Sequence, residues 1–531
     1  MKAIKLFSMA ALAIMMAACS NDLNEITEQP QQPQQAEGIP FKAILPAPGS
    51  DAATRTTYGA FGGASGLPVS WRAKDGTYDG DQIALLHNGV KDVATVTAVD
   101  ASGNATIEAT ITGSPADNDD VVLVYPAASV NSTGSGTGFT PDATYAARQL
   151  AQDGTLEYIA NYLDGREGSG KLLVNSEGAS LKSNVSMASK IAIWQFWLKE
   201  TQGNNLPATK VTMKLGNQAI AQAIPAGGTN QFYMCMVPKS FETLYTAAAS
   251  ASLPTPVFCI EATKGTDTYT YPVFTQMNLT VNTFYQTTEI RLGKLGDVMG
   301  SNGKFYRNGL SMPSGVTPIG VLAYIGDDDT TEPTFGCGHG LVLGLKNAAT
   351  DVTWADAIGT LEFSGQEVTS TSDLKRTTNV SGYTNTLTLA TKAGASFATN
   401  YPAAAAAKTY TGLTAPTGSM GWFLPSAQQW VKMQMGLGGV TDSDVKFSVY
   451  YDTGRTAAQA METAMEKAGS GNFDSMTSDA KWYWSSSEFN ENMACALYVD
   501  ATYVGSNHTF YWGNGLKNSS GNYNVRPILA F

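Results

Sequence analysis

The sequence predicts a mainly β chain: two tandem β-sandwiches over residues 39–170 and 171–293, a linker at 294–302, and an α+β domain over 303–531. Three observations carry that reading. Alternation with a period of two recurs, as in "ATIEATITG", where Ile107, Ala109 and Ile111 share one face and Thr106, Glu108 and Thr110 the other. Continuous apolar runs of strand length, "VVLVYP" and "KIAIWQFWL", are separated by Gly, Asn and Asp turn clusters, the pattern of strands in a sandwich core. Beyond the Gly-punctuated "EIRLGKLGDVMGSNG" two segments take on the period of helices.

The elements follow in order. Residues 1–18 carry Lys2 and Lys5, then the apolar "LFSMAALAIMMAA", too short to span a bilayer, and small residues before Cys19. The segment is similar to a bacterial lipoprotein signal peptide, with Met16 where leucine is usual; the resemblance implies a cut before Cys19 and lipidation of that cysteine. Residues 19–38, rich in Gln and Pro and without apolar periodicity, read as a disordered spacer. "IPFKAILPA", residues 39–47, is the first apolar cluster, held extended by Pro40 and Pro46 and placed as an edge strand. "KVTMKLG" repeats the two-residue period with Val211, Met213 and Leu215. In "PSAQQWVKMQMGLGG", Ser426 and Gln429 have capping-box spacing, and Trp430, Met433 and Leu437 share a helical face. In "RTAAQAMETAMEKAG", Thr456 and Gln459 repeat that spacing, Met461, Ala464, Met465 and Ala468 form the stripe, and Gly469 stops the helix.

Composition narrows the function. The 531 residues hold 33 Lys and Arg against 45 Asp and Glu, a formal charge of -12 that repels phosphate backbones, so no nucleic-acid partner is expected. Charged residues make up 15% and glycines number 53, a loop-rich and strand-rich profile. No later apolar run is long enough to cross a bilayer, so a lipid anchor in the outer membrane is the membrane contact expected. Beyond Cys19, the cysteines Cys235, Cys259, Cys337 and Cys495 admit three pairings. Cys235 and Cys259, in nearby strand-like runs, are the favoured bridge, leaving Cys337 with Cys495; four buried thiols are the alternative.

Catalytic motifs find little support. "GREGSGKL" nearly spells a phosphate-binding loop, but Leu172 replaces the Ser or Thr after Lys171, and a hairpin turn is the reading preferred. His87, His339 and His508 lack partners at metal spacing and read as loop or surface residues, and "GDDDTTE" reads as a solvated acidic loop. No catalytic residue, metal or cofactor is assigned. Aromatic clusters at "MGWFLPSAQQW", "WYWSSSE" and "HTFYWGNG" are either core or a sugar-stacking surface. Trp422, Trp430 and Trp484 read equally well as core, whereas Trp512, with Tyr511 and Asn514 in a Gly/Asn setting, is the ligand-binding candidate.

Two resemblances add to this. "TRTTYGAFGGASGLPVSWRAKDGTYDGDQIALL", with Arg55, Thr56, Trp71, Gly80 and Asp81, resembles the N-terminal part of Bacteroidales fimbrillins, and with the signal peptide and "LVYP" the likeness covers residues 1–293. "PIGVLAYIG", "GLVLGLKN", "WFLPSAQQW", "YWSSSE" and "VRPILAF" resemble the C-type-lectin-like domains of the Fibrobacter major-domain and Legionella collagen-like C-terminal group over residues 303–531. The sugar-binding Glu-Pro-Asn and Trp-Asn-Asp signatures of calcium-dependent lectins are replaced by "EPT" and "WGN" in another arrangement, so calcium-dependent binding is not implied.

The fimbrillin likeness implies transthyretin-like sandwiches, cleavage between Arg55 and Thr56, removal of the leader with its first strand, and filling of the gap by a strand of another fimbrial subunit. Phe41 and Ile44 or Leu45 are the residues expected to occupy that gap beforehand. With "VRPILAF" placed in its own domain, no strand is left to donate, which points to a tip or accessory adhesin at the cell surface, binding a glycan or host protein. A lipoprotein that binds glycans without polymerising is the alternative, and an enzyme related to formylglycine-generating folds a distant third.

Overall fold

A computed structural model of the chain describes residues 38–47, 71–129, 138–216, 218–239, 242–243, 245–246, 257–286, 289–327, 339–448, 453–469, 472–477, 481–500 and 510–531. The first domain holds β1 (Ile39–Leu45), β2 (Gln82–His87), β3 (Val90–Val99), β4 (Ala105–Ile111), β5 (Asp120–Tyr125), β6 (Arg166–Asn175), β7 (Gly178–Leu181) and β8 (Ala188–Ser189). Their order is β5-β2-β3-β4-β1-β7-β6-β8, and β5 also pairs with β6. The first seven strands in that order therefore close on themselves, so the expected open sandwich is a barrel. The predicted alternation holds along β4, whose Ile107 and Ile111 are buried. "GREGSGKL" is not a turn but most of β6, and the expected boundary at residue 170 falls inside that strand. Because β6 and β7 complete the barrel, the first domain runs on to about residue 190.

Helices α1 (Ala143–Gln149) and α2 (Leu156–Tyr162) are capped by the side chains of Asp142 and Thr155. Tyr145 and Ile159 from these helices pack with Ile193 and Cys235 of the second domain, forming a shared apolar seam.

The second domain has two sheets that share one core. One sheet runs β11 (Gln218–Ala223), β10 (Lys210–Leu215), β13 (Phe258–Lys264), β14 (Asp267–Val273). The other runs β12 (Gln231–Met236), β9 (Ala192–Glu200), β15 (Thr283–Gln286), and β16 (Ile290–Leu292) pairs with the far end of β9. Val211, Met213 and Leu215 face Phe196, Phe232 and Met234 across the core. On β13 the pleat sends Phe258, Ile260 and Ala262 inward, while Val257 and Cys259 pack into the third domain.

The third domain is α+β. Its larger sheet runs β18 (Phe305–Tyr306), β17 (Val298–Gly300), β19 (Pro318–Ile325), β20 (Gly340–Gly344), β25 (Ile528–Ala530). Because β17 lies in that sheet, residues 294–302 are not a free linker. A second sheet runs β23 (Phe510–Leu516), β22 (Met493–Val499), β21 (Lys481–Glu488), β24 (Tyr523–Asn524). Helices α3 (Gly382–Ala393), α4 (Pro402–Lys408), α5 (Ala427–Gly436) and α6 (Thr453–Gly469) pack beside them. Ser426 and Gln429 make the full capping box at α5, and Trp430 and Met433 are buried. Thr456 is no cap, because α6 starts at Thr453; its Met461, Met465 and Ala468 stripe is buried as expected. Among the described residues no helix is long and apolar enough to cross a membrane.

Candidate functional site

Strand β1 is the first strand of the barrel in sequence, is followed by a long connection before β2, and sits between β4 and β7. Its burial alternates: Phe41, Ala43 and Leu45 face the core, while Lys42 and Ile44 face out. Phe41 is 2% exposed and Leu45 fully buried, whereas Ile44 is 58% exposed. Of the three residues expected to fill the gap, Phe41 and Leu45 do so and Ile44 does not, because the pleat turns successive side chains to opposite faces. Burying those two side chains is worth about 1.5–3 kcal/mol each.

The two edges that hold β1 differ. Seven residues pair antiparallel with β4, from Ile39 opposite Ile111 to Leu45 opposite Ala105. Toward β7 the register is parallel and contains one residue pair, Phe41 with Ala179. A cleft of about 560 Å³ opens along that seam, lined by Pro40, Phe41, Glu108, Asn175 and Ser180. At its mouth Gly178 has φ +140°, and a Cβ there would stand 2.7 Å from the Pro40 carbonyl oxygen. Only glycine permits that approach.

The far end of β1 is clipped. The Trp71 indole Nε1 donates to the Pro46 carbonyl at 2.9 Å, and the Ala47 amide donates to Asn104 Oδ1 at 3.2 Å. Trp71 is buried and meets the Tyr125 ring edge-on, with centroids 5.4 Å apart. Asp81 supports both: Oδ2 accepts from the Arg72 amide at 2.7 Å, and Oδ1 accepts from the hydroxyls of Tyr78 at 2.7 Å and Tyr125 at 3.2 Å. Burial, then the bond to Asp81, pushes the Tyr78 hydroxyl up to about 12. Gly80 has φ +85°, and a Cβ there would meet the Val96 carbonyl oxygen at 2.6 Å. The tryptophan and Gly-Asp step singled out in the sequence thus form one cluster against the end of β1. Cys19, Arg55 and Thr56 lie outside the described residues, as does His508.

The remaining expectations are redistributed by the fold. Cys235 and Cys259 are free, buried thiols, so the favoured bridge is not made. Cys235 packs at the barrel seam and Cys259 toward the third domain, on opposite sides of the second. Cys495 is also a free, buried thiol, 3.3 Å from the Val368 carbonyl oxygen, and Cys337 lies outside the described residues. Neither His87 nor His339 is a surface residue: both are buried, His87 with Nε2 2.9 Å from Asp92 Oδ2. His339 is brought beside Cys259 and Glu261.

Trp512 is fully buried, a correction to its placing as an exposed ligand contact. It lies in β23, where alternation turns it into the core while Tyr511 stays half-buried on the other face. Asn514 is also half-buried. The face that carries Tyr511 also holds the buried Trp484, Ala494 and Ala496, and at its half-buried end it has a feature that sequence spacing does not reveal. Tyr523, Trp482, Tyr498 and Tyr511, one from each strand of the sheet, occupy consecutive cross-strand positions. Trp482 lies 6.0 Å from Tyr523, 5.1 Å from Tyr498 and 6.0 Å from Tyr511 between ring centroids. Gly513 leaves room for this row, since a Cβ there would stand 3.0 Å from the Trp482 ring.

No protein-family model matches the chain, and no curated protein matches it. The chain is similar to solved structures from Bacteroides and Parabacteroides species. A fimbrial protein from Bacteroides ovatus is 14% identical, with 93% of this chain and 99% of that one covered and a TM-score of 0.30. A putative cell adhesion protein from the same species is 16% identical, over 49% of this chain and 95% of that one, with a TM-score of 0.27. A fimbrial assembly protein from Parabacteroides distasonis is 12% identical, over 47% and 90%, with a TM-score of 0.26.

Proposed function

We propose that this chain is a cell-surface fimbrial subunit with an adhesive C-terminal domain, made as a lipoprotein precursor and matured by cleavage after Arg55. The observation that carries the reading is that β1 fills a slot between β4 and β7 in an otherwise continuous barrel and is followed by an arginine-bearing connection. Cleavage at Arg55 turns β1 into a separate segment held by noncovalent contacts alone. Its departure leaves two unpaired strand edges and an apolar trench lined by Ile107, Ile111 and Leu172. Unpaired backbone groups beside an apolar trench recruit an extended strand, and a neighbouring subunit supplies one by β-strand addition.

The strand Ile528–Ala530 pairs with β20 and Phe531 is buried, so this strand is engaged in its own domain and is not free to be given to a neighbour. This supports a tip or accessory position with the third domain outermost. The row of Tyr523, Trp482, Tyr498 and Tyr511 is the proposed ligand face, since rings present flat apolar surfaces on which sugars stack. The role is structural and adhesive, without catalysis.

N-terminal mass spectrometry of the protein from fimbriated native cells tests the reading. A free Thr56 amino terminus is the expected result. Acylated Cys19 as the sole N-terminus would overturn assembly and leave a permanently anchored binding protein.

A further inference from the structure

The second and third domains meet along the outer face of β13. Residues two apart in a strand share a face, so Cys259 and Glu261 both project from β13 toward the third domain, where His339 precedes β20. The Cys259 Sγ, a Glu261 carboxylate oxygen and a His339 ring nitrogen all lie within 4.8 Å of one another. His339 Nδ1 is 3.4 Å from Glu261 Oε1, close to the roughly 3.3 Å edge between nitrogen and oxygen ligands of one tetrahedral zinc.

The histidine is held for this position by its backbone. Its amide donates to the Phe531 carbonyl at 2.7 Å, and its carbonyl accepts from the Gly326 amide at 3.0 Å. Its side chain is fully buried; Nε2 makes no hydrogen bond, and Nδ1 has only the 3.4 Å contact with Glu261. A buried imidazole nitrogen left without a hydrogen bond is costly unless a ligand meets the ring.

We infer that Cys259, Glu261 and His339 form a divalent transition-metal site, suited to zinc, that fastens the third domain to the second. Thiolate, carboxylate and neutral imidazole are the donor types zinc takes, and the first two together balance its charge. Metal entry displaces the Cys259 proton to solvent, and water completes the shell. The Lys214 ammonium contacts Glu261 Oε1 at 3.0 Å and Oε2 at 2.9 Å and lies 3.7 Å from Asp327, so its charge is shared between two carboxylates. Glu261 keeps 16% side-chain exposure, which gives the ion a way in. The site stands independently of the fimbrial reading.

Cobalt substitution tests it. Purified full-length protein, stripped with chelator under reducing conditions, is titrated with Co²⁺ and then Zn²⁺. The expected result is one tightly bound Co²⁺ per chain, with a thiolate charge-transfer band and tetrahedral ligand-field bands that one equivalent of Zn²⁺ abolishes. Cys259→Ser loses the charge-transfer band, His339→Gln loses stoichiometric binding, and Cys337→Ser keeps both. Absence of stoichiometric Co²⁺ binding in the unaltered protein would overturn the site, independently of how any variant folds. So would a band unchanged in Cys259→Ser, or one lost in Cys337→Ser alone.

Discussion

The Trp71 indole donates to the Pro46 carbonyl at 2.9 Å, so the two ends of the connection that contains Arg55 are tied together at one pole of the barrel. Cutting that connection and releasing β1 are therefore separate events. The first breaks a peptide bond, while the second must overcome the buried Phe41 and Leu45, the β4 ladder and this clip. Trp71→Phe keeps a ring but removes the donor, at a cost of about 1 kcal/mol from the hydrogen bond. After cleavage at Arg55, the segment that ends at Arg55 and carries β1 should leave this variant several-fold faster than the unaltered protein, measured as the release rate of the peptide by size-exclusion and mass spectrometry.

Alternation along β1 predicts a sharp contrast between close neighbours. Phe41→Ala removes a buried ring and should destabilise the barrel by about 3–5 kcal/mol. Ile44→Ala, on the exposed face, should stay within about 0.5 kcal/mol. Hydrogen exchange of the barrel amides separates the two, because it reads this domain without requiring the whole chain to unfold in one step.

Alkali should loosen the clip. The Tyr78 hydroxyl ionises near 12 when folded against an ordinary 10, because burial and then its bond to Asp81 favour the protonated form. Its contribution is complete below pH 10 and is lost as pH rises from 10 through 12. Tyr78→Phe should remove that segment of the pH dependence, as followed by exchange at β1 and β2. The step is small, since Tyr78 is partly solvent-exposed and its charge is screened.

On β23, adjacent aromatics should respond in opposite ways. Tyr511→Ala is expected to leave the third domain folded and weaken binding to an immobilised glycan by about 2 kcal/mol. Trp512→Ala empties a fully buried site and should cost the domain about 3–5 kcal/mol. A glycan array read beside thermal melting distinguishes loss of contact from loss of fold.

Local chemistry was legible in the sequence and global closure was not. The alternation of Ile107 and Ile111, the sandwich core at Val211, Met213 and Leu215, and the capping box of Ser426 and Gln429 follow from neighbours a few residues apart. Barrel closure depends on pairings such as Tyr125 with Arg166, which no local period encodes, so the boundary at residue 170 fell inside a strand. Trp512 was misplaced because its Gly and Asn neighbours have the composition of a loop, although the strand turns its ring inward. Thr456 shared the capping-box spacing but lies one turn inside a longer helix. Helix α4 did carry a readable signal, Pro402 at the first helical position followed by alanines. The aromatic row joins four strands, and the cluster joins Cys259 and Glu261 of β13 to His339 just before β20, so only the folded chain assembles them.

Hydrogen-exchange mass spectrometry on the protein cut after Arg55, before and after the freed segment is removed in mild denaturant, tests most directly whether β1 is a replaceable strand. The account predicts that amides of residues 105–111 and 178–181 lose protection when residues 39–47 leave and regain it when a synthetic peptide of residues 39–47 is added, while residues 210–215 and 258–263 stay unchanged. Protection that persists at β4 and β7 after the segment has gone, or a barrel that collapses and that the peptide does not restore, would contradict it.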